Sequence, residues 1–459
     1  MKLSSRQSIV FLYFLVFILW TSGVSALDNG RELRLNLEEC IARAIRNNEE
    51  IKMAHYDVYA SIAKKIEATK RYVPVVNYKY RFAPVPKDLD NPSAAFFSGD
   101  LSILNSIKIE VGIPLTTFGR ITVNQELADI GIDASKLQKV RKADEIILDI
   151  YKLYNGILLA RELTQLATKG LEAVSNKIAE LEKEETVDQL EILKLKAILY
   201  QIEKKMDEAH KKETIALAML KFRIGAEDDV RLLLKDTYLV RESFTHRSFE
   251  EFLGISKDRR PEFKLLAHKV AAEEKKLVLK KKEYFPKLIA GGFFEYGVSP
   301  GIQGDENDNT FNNPFNYTKA GVGLELNGEL DFRKLRANVK EQEALYFKTI
   351  AEKRSNFRLL EIDLKDAYLE YVQRRDLLLR ADKEQRAARQ IVFLTKSNLD
   401  IGVGEKKDYL DALQSYLLIQ AAVFENMFQY NVAVATLRSK MGMFIKPESV
   451  VDMYKNMGK

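Results

Sequence analysis

The chain has 459 residues, with 72 Lys and Arg against 66 Asp and Glu and a formal net charge of +6. That balance is mild for the length and offers nucleic acid no electrostatic footprint. The one cysteine, Cys40, excludes an intrachain disulfide framework; it falls on an apolar helical face, where it reads as a small buried hydrophobe.

At the start of the chain, Lys2 and Arg6 precede an apolar run from Ile9 to Trp20. At ~1.5 Å per residue that run reaches roughly 18 Å against a ~30 Å hydrocarbon core, so it is too short to span a bilayer. A secretory signal peptide over residues 1–26 is expected, ending on the small residues Val24-Ser25-Ala26, with an uncleaved anchor as the alternative. Removing Lys2 and Arg6 with it leaves the 72 cations two fewer against 66 acids, a net +4. No later stretch is apolar enough for a membrane helix, so insertion into a membrane requires a closed β-barrel.

From Leu37 to Tyr72 the apolar spacing is helical, and Pro74 stops it. Strict alternation follows, with Val76, Tyr78, Tyr80 and Phe82 on one face and Asn77, Lys79 and Arg81 on the other; Ile107, Ile109, Val111 and Ile113 repeat it against Lys108, Glu110 and Gly112. Ile121 to about Glu182 then reads as one helix extending ~90 Å, and Ile192, Leu195, Leu199, Ile202, Met206, Ala209, Glu213, Ala216 and Leu220 form a heptad-like seam. The second half runs through the same order. Ala290, Gly292, Phe294, Tyr296 and Val298 alternate weakly, a polar loop spans Ser299 to Asn316, and Ala320, Val322, Leu324 and Leu326 face away from Lys319 and Glu325. Long seams return with Phe357, Leu360, Leu364, Ala367, Tyr371, Arg374, Leu378 and Ala381, then with Leu410, Leu413, Leu417, Gln420, Phe424, Met427, Asn431 and Val434. Tyr416, Ile419, Val423, Tyr430 and Ala433 add a second stripe to the last helix, which predicts neighbours on two sides.

The recurrence is an internal repeat. Asn48–Pro74 aligns without a gap with Arg260–Pro286, pairing Glu50 with Glu262, Lys52 with Lys264, Val58 with Val270, Ala60 with Ala272, Lys64 with Lys276, and Tyr72-x-Pro74 with Tyr284-x-Pro286. Asp188, Leu190 and Leu193 likewise match Asp408, Leu410 and Leu413. The expected organisation is therefore a signal peptide (1–26), a first repeat (27–224), an inter-repeat equatorial segment (225–259), a second repeat (260–443) and a C-terminal tail (444–459). Four strands cannot close a membrane barrel, so the chain must complete its sheet with copies of itself. Apolar and aromatic side chains then face lipid, while Asn77, Lys79, Arg81, Lys108, Glu110, Lys319 and Glu325 face the lumen. An ordinary sheet with one buried face would show the same alternation.

This order of parts resembles the TolC family of outer-membrane efflux proteins over roughly Leu35 to Met443. The motifs are Leu37-Glu38-Glu39 with Ala42 and Ala44-Ile45-x-Asn47-Asn48-x-Glu50, then Arg260-Pro261-Glu262, Tyr72-Val73-Pro74, Tyr284-Phe285-Pro286, and Pro114-Leu115 with Phe118-Gly119-Arg120. The resemblance implies a mainly α fold with β: a homotrimer whose twelve strands form one barrel in outer-membrane lipid, continued by a periplasmic α-helical barrel. It also implies a passive exit duct of a tripartite efflux or type I secretion system, working with a membrane-fusion adaptor and an inner-membrane pump, for small molecules or secreted substrates. An exported periplasmic coiled-coil scaffold without a channel is the alternative.

Ile401-Gly402-Val403-Gly404 resembles the family's second helical tip, and Asp408-Tyr409-Leu410-Asp411-Ala412 the segment whose two acids line its periplasmic constriction. Three copies of Asp408 and Asp411 would bring carboxylates to one axis and attract cations. Acids in a first helical turn are also favoured by the helix dipole alone, by ~0.3–1 kcal/mol. Asp188 matches the first-repeat acid that helps hold the family's tunnel shut, although Leu399 and Gly404 replace its usual partners and Lys406 and Lys407 are the nearby candidates. The first tip, Glu180-Leu181-Glu182-Lys183-Glu184-Glu185-Thr186, lacks a glycine turn, which puts family-like adaptor docking there in doubt. His55, His210, His246 and His268 stand apart without metal-ligand spacing, and there is no nucleophile elbow or phosphate loop. Neither catalysis, nor a cofactor, nor a metal is expected.

Overall fold

Where the apolar period changes from 3.6 to 2, the backbone changes from helix to strand. The computed structural model describes residues 32–183, 189–227, 229–302 and 314–444. The expected signal peptide, the tail beyond residue 444, Asp188 and the centre of the Ser299–Asn316 loop lie outside them. In chain order the elements are β1 (Glu32–Leu35), α1 (Leu37–Asn47), α2 (Glu49–Thr69), β2 (Val75–Pro86), α3 (Pro92–Ser98), β3 (Leu101–Thr116), α4 (Arg120–Leu181) and α5 (Gln189–Arg223). There follow β4 (Arg231–Leu234), α6 (Phe249–Arg259), α7 (Pro261–Lys282), β5 (Lys287–Val298), β6 (Tyr317–Asn327), α8 (Phe332–Asp400) and α9 (Lys406–Lys440). Among the described residues no helix is long and apolar enough to cross a membrane.

The helix expected over Leu37–Tyr72 is two helices. It breaks at Asn48, which adopts an extended ψ of 128°: its amide closes the last helical bond, to the Ala44 carbonyl, and its side-chain Nδ2 donates to the Arg223 carbonyl at 2.8 Å. In the repeat alignment Asn48 matches Arg260, and Arg260 breaks the second copy in the same way, with ψ 122° and its amide on the Ser256 carbonyl. The correspondence reaches further upstream. α1 begins on a capping box in which Asn36 accepts from the Glu39 amide at 2.8 Å and Glu39 accepts from the Asn36 amide at 2.9 Å. α6 begins on Ser248, which accepts from the Glu251 amide. Cys40 and Ala44 are buried on α1 as Phe252 and Ser256 are on α6. The likeness between the two halves thus extends upstream of Arg260, to α6. The sequence signal was Leu37-Glu38-Glu39 against Phe249-Glu250-Glu251.

The four long helices have 62, 35, 69 and 35 residues. On α5, Ile192, Leu195, Ala209 and Leu220 of the expected seam are buried; on α8, so are Leu364, Ala367, Tyr371, Leu378 and Ala381. Of the polar residues that interrupt these apolar seams, Glu213, Gln420 and Asn431 show how they are accommodated. Glu213 accepts from Arg161 at 2.8 Å, and Gln420 accepts from Gln385. Asn431 donates to Asn155 at 3.0 Å and to the Val240 carbonyl at 2.8 Å, and accepts from the Glu242 amide at 2.9 Å. A satisfied polar group inside a seam fixes register where an apolar one tolerates sliding.

The chain divides into two compact units, each built from both repeats. The described part of one falls within Met1–Asn48, Ile146–Glu242 and Arg374–Val432. Here β1 pairs in parallel with β4, and the Tyr154 hydroxyl donates to Asp236 at 2.6 Å, which holds the chain after β4 against α4. The other comprises Glu49–Glu145, Ser243–Gln373 and the last part of the chain from Ala433. It contains a four-stranded antiparallel sheet in the order β2-β3-β5-β6. In this unit the end of α9 is tied to the Arg260 break: Arg260 and Lys440 both donate to Asp363, at 2.7 and 2.9 Å, and Ser256 donates to the Lys440 carbonyl. Burial alone would raise the Asp363 pKa, but the hydrogen bonds from Lys440 and Arg260 hold it below the usual carboxylate range.

Candidate functional site

Residues directly opposite one another on antiparallel strands point to the same face, so the register sorts the side chains of the sheet. One face carries Tyr78 beside Ile109, Phe294 and Ala320, then Val76 beside Val111, Gly292 and Val322. The other carries Lys79 beside Lys108, Glu295 and Lys319, then Asn77 beside Glu110 and Phe293. All seven residues expected to line a lumen, Asn77, Lys79, Arg81, Lys108, Glu110, Lys319 and Glu325, fall on this second, polar face. Tyr78, Tyr80 and Val322 on the apolar face are 80%, 62% and 94% exposed, a degree of apolar exposure that calls for lipid or a partner to cover it. The sheet also ends on two edge strands, β2 and β6, whose outer edges have no strand partner among the described residues.

The return from strand to helix is a clamp between the two repeats. Phe118 and Gly119 take φ of 52° and 77°, and the turn aims Arg120 at the carbonyls of Lys282 and Phe285. Lys282 reciprocates by donating to the Phe118 carbonyl at 2.8 Å, and the Phe118 and Phe285 rings stack at 5.4 Å. A Cβ at Gly119 would lie 2.9 Å from the Lys282 Nζ, so glycine serves both the left-handed turn and the close approach. Phe118-Gly119-Arg120 and Tyr284-Phe285-Pro286, far apart in sequence, thus meet. Beside them is a cavity of about 920 Å³ whose lining includes Arg71, Glu110, Arg120, Lys287 and Phe293.

The turn after α8 also depends on glycines. The Asn398 carbonyl accepts from the amides of Val403 and Gly404, both at 2.9 Å; Gly402 has φ 79°, and a Cβ on Gly404 would lie 2.9 Å from that of Asn398. Ile401 and Val403 are exposed at 72% and 79%. α9 then starts, and Asp408 and Asp411, both exposed, line a groove of about 490 Å³ together with Glu384 and Ile391 of α8. Near the first tip, Val174, Ile178, Leu181, Ile192 and Leu195 form a buried cluster against which Leu410 packs. The Glu180 carboxyl is held below its usual range chiefly by its hydrogen bond from Lys177, with a smaller contribution from Lys406. Among the described residues no group of three or more His, Cys, Asp or Glu is placed to hold a metal ion.

Residues 253–443 match the profile of the family described as outer membrane efflux protein. No curated protein matches the chain. Among solved structures, the CmeC outer membrane channel of Campylobacter jejuni is similar at 15% identity and a TM-score of 0.71, covering 92% of this chain and 89% of that one. The open-state MtrE outer membrane channel of Neisseria gonorrhoeae gives 16% identity and a TM-score of 0.71, covering 91% and 94%. The outer membrane protein VceC of Vibrio cholerae gives 13% and 0.68, covering 88% and 96%. At these identities the likeness is one of fold, and the fold is TolC-like.

Three residues of interest were not singled out by the sequence. Glu295 sits between Lys108 and Lys319 on the polar face and accepts from the Tyr317 hydroxyl at 2.8 Å. Its signal was its place between Phe294 and Tyr296, obscured because Phe293 breaks the alternation. Tyr317 shares that face, with Lys319 lying 4.6 Å from the centre of its ring. Glu384 has no local signal, since only the packing of α8 on α9 brings it to Asp408 and Asp411.

Proposed function

We propose that this chain is an outer membrane efflux protein, three copies of which close their sheets edge to edge into one barrel while the helices continue the duct into the periplasm. The observation that carries the reading is a sheet with one apolar face, one polar face and two open edges. Open edges are not tolerated in lipid, and pairing β2 of one copy with β6 of the next removes them. The polar face then lines water and the apolar face meets outer-membrane lipid. The protein acts as a passive duct rather than a catalyst, energised through an adaptor and an inner-membrane pump.

At the helical tips, Asp408 and Asp411, with Glu384 beside them, form the periplasmic constriction, and Asp188 contributes to its closed state. Lys406 and Lys407 are the candidate partners there, and the charge of Lys406 reaches Glu180 of the first tip. A scaffold without a channel has no use for a lipid-facing sheet. Native mass measurement of the protein extracted from outer membranes tests the assembly: a three-fold mass is expected, and a soluble monomer from the periplasm contradicts it.

A further inference from the structure

The strand register sorts the charges of the polar face by height. Toward the loop end of the sheet, one row holds Arg81, Ser106, Gly297 and Tyr317, and the next holds Lys79, Lys108, Glu295 and Lys319. These two rows carry four cations against one carboxylate, a net charge of +3. Toward the helix end the rows carry Glu110 and Glu325, with Lys287 at the first position of β5.

Only part of this positive charge is neutralised locally. Lys108 leans toward Glu110, 2.8 Å away in the neighbouring row, and Glu295 is engaged by the Tyr317 hydroxyl. Among the described residues Lys79 and Arg81 make no ion pair, and both are exposed. Nothing in the fold of one chain requires like charges such as Lys79 and Lys108 to stand directly opposite each other, an arrangement that disfavours the pair.

Building on the reading of this chain as a channel, we propose that these two rows form an anion-attracting band in the outer half of the barrel lumen. Its selectivity is set by Lys79, Arg81, Lys108 and Lys319 against Glu295, and the solutes it favours are anionic. Rows on one face are ~7 Å apart along a strand, so three copies concentrate the band's excess positive charge at nearly one height. The reach of that charge follows the Debye length, ~30 Å at 0.01 M salt, ~8 Å at 0.15 M and ~3 Å at 1 M. A band on the wall of a wide bore therefore governs permeation at low salt and loses control at high salt.

The test uses the full chain in planar bilayers, with reversal potentials measured in KCl gradients and inorganic tripolyphosphate added from the loop side as the probe. Lys79→Gln, Arg81→Gln and Lys319→Gln combined are expected to shift permeability several-fold toward cations at low salt and to weaken tripolyphosphate block roughly tenfold. Glu295→Gln, which adds net positive charge to the band, is expected to shift selectivity the opposite way; it carries the test if the triple variant does not assemble. Both shifts should vanish at 1 M. Identical low-salt reversal potentials for wild type and variants, or shifts that persist at 1 M, overturn the band while leaving the channel standing. A wild-type protein without conductance overturns the channel reading itself.

Discussion

Replacing Asp144 with Asn should stabilise this protein above neutral pH and leave it nearly unchanged in acid. Asp144 is 6% exposed on α4, and its Oδ1 has no hydrogen-bond partner among the described residues. Burial, and then the nearby Glu262 and Glu145 carboxylates, push its pKa from 3.8 up to about 7. The native state therefore holds a proton between about pH 4 and 7 that the unfolded chain has released, so stability falls as pH rises through that window and levels off above it. At ~1.4 kcal/mol per pKa unit the full penalty is on the order of 4 kcal/mol, an upper bound because local opening and water relax it. Urea unfolding of the wild type and Asp144→Asn, followed by circular dichroism from pH 4 to 8, measures it. The variant should gain a few kcal/mol at pH 8 and converge with wild type near pH 4. A variant less stable than wild type at pH 8 would show that the ionised carboxylate has a favourable partner, and the reasoning would fail.

Three further outcomes follow from the same structure. Val111→Asp on the apolar face should abolish most membrane insertion, whereas Lys79→Ala on the polar face should be tolerated; equal yields of assembled protein from outer-membrane fractions would mean that the faces are reversed or unused. Gly119→Ala should destabilise by roughly 1–3 kcal/mol through its φ of 77° and the Lys282 contact, read as a lower midpoint in denaturant, and a neutral result would deny that the clamp needs glycine. Asp408→Asn combined with Asp411→Asn should weaken block by trivalent cations from the periplasmic side by roughly tenfold or more, with assembly unchanged; wild-type block would leave these acids with only their helix-start role.

Much of the fold was legible because long amphipathic elements repeat one period many times. The seams of α5 and α8 and the alternation of β2 and β3 needed no tertiary information. Short elements and breaks were less visible. Asn48 looked helical because its neighbours are, and the side-chain hydrogen bond it makes at the break goes to the distant Arg223 carbonyl. The pairing of β1 with β4 left no trace, since Arg231–Leu234 is too short to show a period. Among the candidate site residues, single-strand alternation separates Lys79 and Glu110 from Tyr78 and Val111. It gave no heights, because height depends on register, and register comes from which strand pairs with which. Glu384 and the groove it shares with Asp408 and Asp411 exist only once α8 and α9 are packed together.

The central claim is that one face of the sheet lines water and the other meets lipid, and cysteine accessibility in native membranes tests it most directly. The protein's own thiol at Cys40 is buried and pushed up to about 12, so it contributes little background. Single cysteines at Lys79, Glu110 or Lys319 should react with a charged, membrane-impermeant thiol reagent and change single-channel conductance, while cysteines at Tyr78, Val111 or Val322 should stay unmodified until detergent is added. Reaction at both sets of positions in intact membranes would contradict the account.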